Sequence, residues 1–432
     1  MSSTNPHIPL DVIELIIDEC RHDRATLDAC SRTARSWLHR SRTHLHRRFT
    51  LHHADCLIRS EKDLFHYSTM LRDFPVIVDY ADELEIRTWS SCAVVRDVEQ
   101  CGAQFWDLLC RMRHIRSLRI LDMDFTQSSP YSARRAGWED LFPNIRTLEL
   151  VRNAFRDPRD AISLASKFVP LATLKLDRPS IRHVTLPSPA SPSSDFPSIT
   201  PATKLPPTPR NISIQNCHDC PEMLAALTIY LAQSQAVSSV NGLKTLSINP
   251  GLKSGRTSDL AKFTEVVGAS IENVSLTLQE QCTAPDWRSD LRPENIRRVA
   301  RYLVDCGRLT TLSLSLKRSE LAGMMHALQR LKHDAFSPWD IYRQLLTALT
   351  DTTFCCSELY LYFELRDIIS TSVTKFENIA LDLPFGIQAV HLVVFGHSQA
   401  EEAQRFRSLW SAALPKLRAR CQVYVSFSSS PS

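Results

Sequence analysis

Residues 309–316 read Leu-Thr-Thr-Leu-Ser-Leu-Ser-Leu. Apolar side chains stand at 309, 312, 314 and 316, and the last three alternate with serine as a half-buried strand requires. The same apolar-x-x-apolar-x-apolar pattern recurs along the chain. It appears as Ile115/Leu118/Ile120, Ile145/Leu148/Leu150, Leu171/Leu174/Leu176, Leu243/Leu246/Ile248, Ile271/Val274/Leu276 and Ile387/Val390/Leu392. Weaker copies sit at Ile212/Ile214 and Leu359/Leu361, and successive copies lie 26 to 47 residues apart. That interval holds one strand and one helix. Residues 256–268 and 293–307 are amphipathic at helical spacing and each ends at a glycine, a usual helix stop. Residues 319–333 and 339–350 read as helices too. Strand then helix, repeated, predicts an α/β chain with a parallel sheet, either doubly wound or a solenoid.

The recurring L-x-x-L-x-L resembles the strand signature of leucine-rich repeats, which favours the solenoid. The expectation is an irregular leucine-rich-repeat-like solenoid over residues 113–432 with one curved parallel sheet, and connecting or first irregular repeats over 51–112. The asparagine that usually follows the strand in such repeats is well placed once, at Asn153. Leu118, Leu148, Leu174, Leu246, Val274, Leu312 and Val390 should then stack in one buried row. Residues 187–209 hold 8 prolines and 5 serines in 23 positions, which predicts a disordered insertion between repeats.

Composition narrows the function. The chain has 432 residues, 43% hydrophobic and 23% charged, enough for a large core. Its 10 glycines are too few for the closely spaced glycines of phosphate loops and dinucleotide fingerprints, which argues against most nucleotide-dependent enzymes. A net charge of +4 is too mild to argue for nucleic acid. The 13 cysteines are odd in number and irregularly spaced, which suits the reducing cytoplasm or nucleus rather than a disulfide framework. No apolar run approaches the roughly 18 residues that span a bilayer, so no membrane partner is expected. Gly251–Thr257 is one residue short of a phosphate loop and has Arg256 for the required lysine. Asp122-x-Asp124, the lone pair Cys217 and Cys220 (with Cys355 and Cys356 elsewhere), and the histidines at 39, 44, 46, 52 and 53 lack metal-site spacing. No catalytic residue, metal or cofactor is expected.

Residues 1–50 differ from the rest. Pro9 can open a helix, followed at helical spacing by Leu10, Val12, Ile13, Ile16 and Ile17, with Asp11, Glu14, Asp18 and Glu19 covering the other side. Asp23 is placed to cap a second helix through Leu27 and Cys30. A third segment, Ser31 to His46, carries Ala34, Trp37, Leu38 and Leu45 among many arginines. Pro9-Leu10, the run Val12/Ile13/Ile16/Ile17, Asp23-Arg24-x-Thr26-Leu27, Ala29-Cys30-Ser31 and Arg35-x-Trp37-Leu38 together resemble an F-box of the fungal type. The chain departs from that family at Arg32-Thr33-Ala34, where two apolar residues and a cysteine are usual.

The F-box resemblance implies a non-catalytic, substrate-recognition subunit of an SCF (cullin-RING) ubiquitin ligase. The module would dock on the Skp-type adaptor through Pro9, Leu10, Val12, Ile13, Ile16, Ile17, Leu27 and Trp37, and the repeats would capture an unidentified protein substrate. Outward strand positions carry Arg119, Glu149 and Lys175 early, and Ser247, Ser275, Thr277, Ser313 and Ser315 in the middle. Late in the chain they become Tyr360, Tyr362, His391, Val393 and Phe395, the substrate-contact candidates, unless a strand near Val423–Phe427, or the tail after it, folds over them. Two other readings stay open: a solenoid scaffold unconnected with ubiquitin, and a hydrolase whose site is assembled from distant residues.

Overall fold

The computed structural model describes residues 8–52, 80–87, 111–126, 141–181, 208–215, 222–235, 242–249, 257–280, 293–318, 338–350, 354, 356–364, 383, 386–395 and 415–428. The chain is mixed α/β and divides into two compact units, Met1–Leu171 with Pro179–Ser198, and Ala172–Arg178 with Ile199–Ser432. Among the described residues twelve longer strands run parallel, four in the first unit and eight in the second.

The first unit opens with helices α1 (Leu10–Glu19), α2 (Arg24–Thr33) and α3 (Arg35–Leu45). Asp23 caps α2 as expected, accepting from the Ala25 and Thr26 backbone N–H groups at 3.0 and 3.1 Å and from the Thr26 hydroxyl at 2.6 Å. The expected third helix from Ser31 is broken at Ala34, whose extended backbone ends α2 and starts α3. Strand β1 (Arg48–His52) follows at once, so the sheet begins inside the first fifty residues. It pairs with β2 (Glu83–Arg87), which pairs with β3 (Ser117–Leu121), which pairs with β4 (Thr147–Val151).

Leu84, Leu118 and Leu148 stand in register and are buried, as are Ile86, Ile120 and Leu150 one pleat on. Two-residue strands β5 (Ala154–Phe155) and β7 (Ser180–Ile181) form a separate parallel pair. Helix α4 (Pro158–Ser166) starts with proline at its first turn and an Asp157/Asp160 capping box.

Asn153 explains how the chain leaves β4. It is fully buried, its Oδ1 accepts the Met123 N–H at 2.8 Å, and its Nδ2 donates to the Ile120 carbonyl at 3.0 Å. One side chain thus satisfies a donor and an acceptor of the neighbouring strand exit, which burial would otherwise leave costly. Asp122 and Arg152, at equivalent exits, adopt the left-handed backbone with φ of 57° and 54°. They face each other in a two-bond ion pair of 2.6 and 2.7 Å. Asp124 accepts from the Thr126 N–H and hydroxyl at 2.9 and 2.6 Å, so both carboxylates of the Asp122-x-Asp124 pair have protein partners.

The second unit holds β6 (Thr173–Asp177), β8 (Asn211–Gln215), β9 (Thr245–Ile248), β10 (Asn273–Glu280), β11 (Thr311–Arg318), β12 (Glu358–Glu364), β13 (Ala389–Phe395) and β14 (Gln422–Ser428). They pair in chain order. Leu174, Ile212, Leu246, Val274, Leu312, Leu359 and Val390 form one register row, every member buried. The expected stacking therefore holds within each unit.

The backing helices bury the stripes their sequences define. Helix α5 (Glu222–Gln235) buries Met223, Leu227 and Leu231, and α6 (Thr257–Val267) buries Phe263 and Val267. Helix α7 (Pro293–Val304) buries Ile296, Val299, Ala300 and Leu303, and α8 (Pro338–Thr350) buries Tyr342, Leu345, Leu346 and Leu349. A one-turn helix, α9 (Pro415–Arg418), precedes β14.

Three expectations change. Gly268 does not stop α6 by a left-handed turn. It opens a short 3₁₀ turn, and a Cβ there would lie 2.8 Å from the Asp305 carbonyl oxygen, so close approach explains the glycine. Helix α7 ends at Val304, three residues before Gly307. The proline-rich segment ends earlier than expected, because Thr208 and Pro209 are buried as the lead into β8. The rest of that insertion, the 319–333 helix, Gly251–Arg256, Cys217, Cys220 and Cys355 lie outside the described residues. No helix of the described residues is long and apolar enough to cross a membrane.

Candidate functional site

Two surfaces concentrate exposed apolar or aromatic side chains. The first is α1. Its six apolar residues exceed what one packed face can bury, although Asp11, Glu14, Asp18 and Glu19 share the helix, so part of the apolar set stays uncovered. Ile17 of α1 and Leu27 of α2 are both buried, at 1% and 2% exposure. Ile13 and Trp37 are half-buried. Pro9, Leu10, Val12 and Ile16 stay exposed, as do Ile8 and Leu15, and Leu15 is the most exposed at 65%.

The eight adaptor-contact candidates therefore separate. Ile17 and Leu27 are corrected to core residues that hold α1 in place, because a three-helix unit this small needs its largest inward side chains for its own packing. Leu15 was missed. Its i+3 relation to Val12 was the available signal, hidden because the residues opposite on α1 are apolar too.

Asp18 is also repositioned. Rather than covering a solvent side, it ties α1 to α3. It accepts from Arg40 through both carboxylate oxygens, with Nε at 2.6 Å, and meets His44 Nε2 at 2.7 Å. These hydrogen bonds hold the Asp18 carboxyl well below the usual carboxylate range, against the opposing effect of burial, and the Arg40 guanidinium is raised in turn.

The second surface lies on β12–β14. Tyr342 of α8 donates its hydroxyl to the Tyr362 carbonyl at 2.9 Å, and its ring meets buried Phe363 edge-on at 5.3 Å. Helices thus cover the Phe363 side, and alternation turns Tyr360 and Tyr362 to the other. Register places Ser213, Ser247, Ser275, Ser313, Tyr360, His391 and Tyr424 in one row. The His391 ring stacks on Tyr360 at 4.1 Å and 6°, and on Tyr424 at 4.8 Å and 14°. Tyr362, Val393 and Ser426 form the next row, and Phe395 stands beside Ser428.

All five substrate-contact candidates (Tyr360, Tyr362, His391, Val393 and Phe395) are half-buried on this face. The C-terminal strand does not fold over them. It pairs in plane as β14 and adds Tyr424, at 49% exposure, to the stack. Burial pushes the His391 imidazole toward its neutral form, with Glu358 opposing. The Tyr360 phenol is raised by burial and by its 3.1 Å hydrogen bond to Glu358.

The early outward positions differ in character. Glu85 is buried at 2% exposure beneath Arg48, Arg87 and Arg119, and Arg119 also meets Glu149 at 3.0 Å. Desolvation raises the Glu85 carboxyl, but the Arg48 and Arg87 hydrogen bonds outweigh it and the net direction is down. Each charge of this cluster has an opposite charge beside it. Compared with known proteins, the chain matches no family profile and no curated protein.

Proposed function

We propose that the chain is a non-catalytic recognition subunit of an SCF-type ubiquitin ligase. In this reading the three-helix module is an F-box that docks on a Skp-type adaptor, and the strand-helix units are divergent leucine-rich repeats. Their open face binds a protein substrate at the Tyr360–His391–Tyr424 stack. The observation that carries the reading is the exposed apolar set of Leu10, Val12, Leu15 and Ile16 on one short helix. Large apolar groups at such density on an anchored helix suit a partner surface. The ligase chemistry would reside on other subunits, with this chain supplying proximity.

The test is co-purification with the adaptor. Val12→Ser with Leu15→Ser removes two exposed side chains and leaves Ile17 and Leu27 packed. At about 2 kcal/mol per hot-spot residue, affinity should fall about a thousandfold. Wild-type recovery of the adaptor by a folded double variant would refute the docking assignment. The second reading, a scaffold unconnected with ubiquitin, is favoured by Arg32-Thr33-Ala34, where Arg32 is exposed and spent on an i,i+4 pair with Asp28 at 2.6 Å. It would be adopted if the wild-type chain fails to recover the adaptor while still capturing a protein partner through β12–β14.

A further inference from the structure

We propose that the first unit carries a binding site for a small phosphate dianion, at a cavity of about 250 Å³ lined by His114, Arg116, Asn144, Arg146 and Pro170. This site stands apart from the adaptor and substrate readings. Arg116 and Arg146 immediately precede β3 and β4, and the Arg146 N–H donates to the Arg116 carbonyl at 2.7 Å. The two arginines therefore leave adjacent rungs, about 4.8 Å apart. Like charges on neighbouring strands repel. Asp82 offsets only one of them, at 3.8 Å from Arg116, and Arg146 makes no ion pair with any described residue.

Asn144 is held by its own bond to the Arg113 carbonyl at 3.1 Å. His114 Nε2 is buried and has no hydrogen-bond partner. Two guanidiniums on adjacent rungs with one carboxylate between them are a state that a bound anion resolves.

Another charged cavity of this unit shows the contrast. It is lined by Arg48 and Arg119, but also by Glu83, Glu85 and Glu149, which consume the positive charge. The cavity at Arg116 and Arg146 has no carboxylate among the described residues of its lining. Its volume falls below the roughly 300 Å³ at which drug-sized ligands begin. A tetrahedral dianion offers oxygens to both guanidinium forks at once, which a carboxylate with two oxygens does not match. Phosphate is therefore the chemistry assigned, either as the free ion or on a phosphorylated side chain.

The experiment is calorimetric titration of the full chain with inorganic phosphate and, separately, with O-phosphoserine, chloride serving as the salt control. Saturable binding of either is expected. It should weaken about tenfold or more in Arg116→Gln and in Arg146→Gln, as loss of charge-assisted hydrogen bonds implies. Arg159→Gln, exposed on α4 and away from the cavity, should bind as wild type. Tighter binding of phosphate assigns the free ion, and tighter binding of phosphoserine assigns the side-chain source. Absence of saturation with both, or equal affinity in all three variants, overturns the site.

Discussion

Leu312→Ala is the sharpest probe of the parallel rows. Leu312 is fully buried between Val274 and Leu359, its register partners on β10 and β12. The substitution deletes three carbon atoms, worth about 0.8 kcal/mol each in transfer free energy, so about 2.4 kcal/mol. Ladders on both sides pin the backbone, so the space does not collapse. An unfilled volume of about 60 Å³ adds about 1.4 kcal/mol at the slope found for buried leucines. The expected loss is about 4 kcal/mol. Urea denaturation at neutral pH reads it as the fall in midpoint multiplied by the slope. Val425→Ala is the control, since Val425 points to the same side from β14 but is half-exposed. It should lose about 1 kcal/mol or less. If Leu312→Ala costs no more than Val425→Ala, the row is not the core of the second unit and the reasoning fails.

Asn153→Ala strands the Met123 N–H and the Ile120 carbonyl in a buried place. It should destabilise the first unit by about 2–4 kcal/mol in urea, from about 1–3 kcal/mol for each orphaned group and partial relaxation. A loss under about 1 kcal/mol would show that water reaches the strand exit. Asp18 has a depressed folded-state pKa, so its stabilisation is fully present above the ordinary carboxylate value near about 4 and is lost as pH falls below it. Asp18→Asn should lower protection of residues 10–45 at pH 7 and flatten their further loss toward pH 3, read by hydrogen exchange. Equal acid sensitivity in both proteins would refute the Arg40 clamp. Tyr360→Ser with Tyr362→Ser should abolish substrate capture in a pull-down while adaptor recovery persists, and unchanged capture would move the site off β12–β14.

The fold was legible wherever one residue type dominated a position. The pattern at Leu309–Leu314 and its copies marked the strands because each needs two inward apolar residues in fixed phase. Asp23 marked the start of α2 because a short carboxylate reaches the first free N–H groups and little else does. The strand at Glu83–Arg87 was not singled out. It buries Glu85 on the outward face, and that burial depends on three arginines from three strands, a relation no local pattern carries. Tyr424 and Leu15 were missed for the same reason in different dress. Each faces outward only because of what neighbouring strands or helices do, and sequence spacing does not contain those neighbours. The cavity at Arg116 and Arg146 follows from two residues 30 positions apart becoming adjacent rungs.

The chain-order pairing of β6 to β14 makes length a variable rather than a constant of the second unit. Each interior strand meets two partners and no others in the ladder, so adding or deleting one strand-helix unit alters one junction and leaves distant registers intact. In β14, Val423 and Val425 are half-exposed where the equivalent residues of β13, Val390 and Leu392, are buried. Descent of such chains by gain and loss of whole units would preserve the buried rows while shifting which side chains reach the open face. The 26 to 47 residue spread between copies shows that the segments joining successive strands differ in length while the rows stay in register.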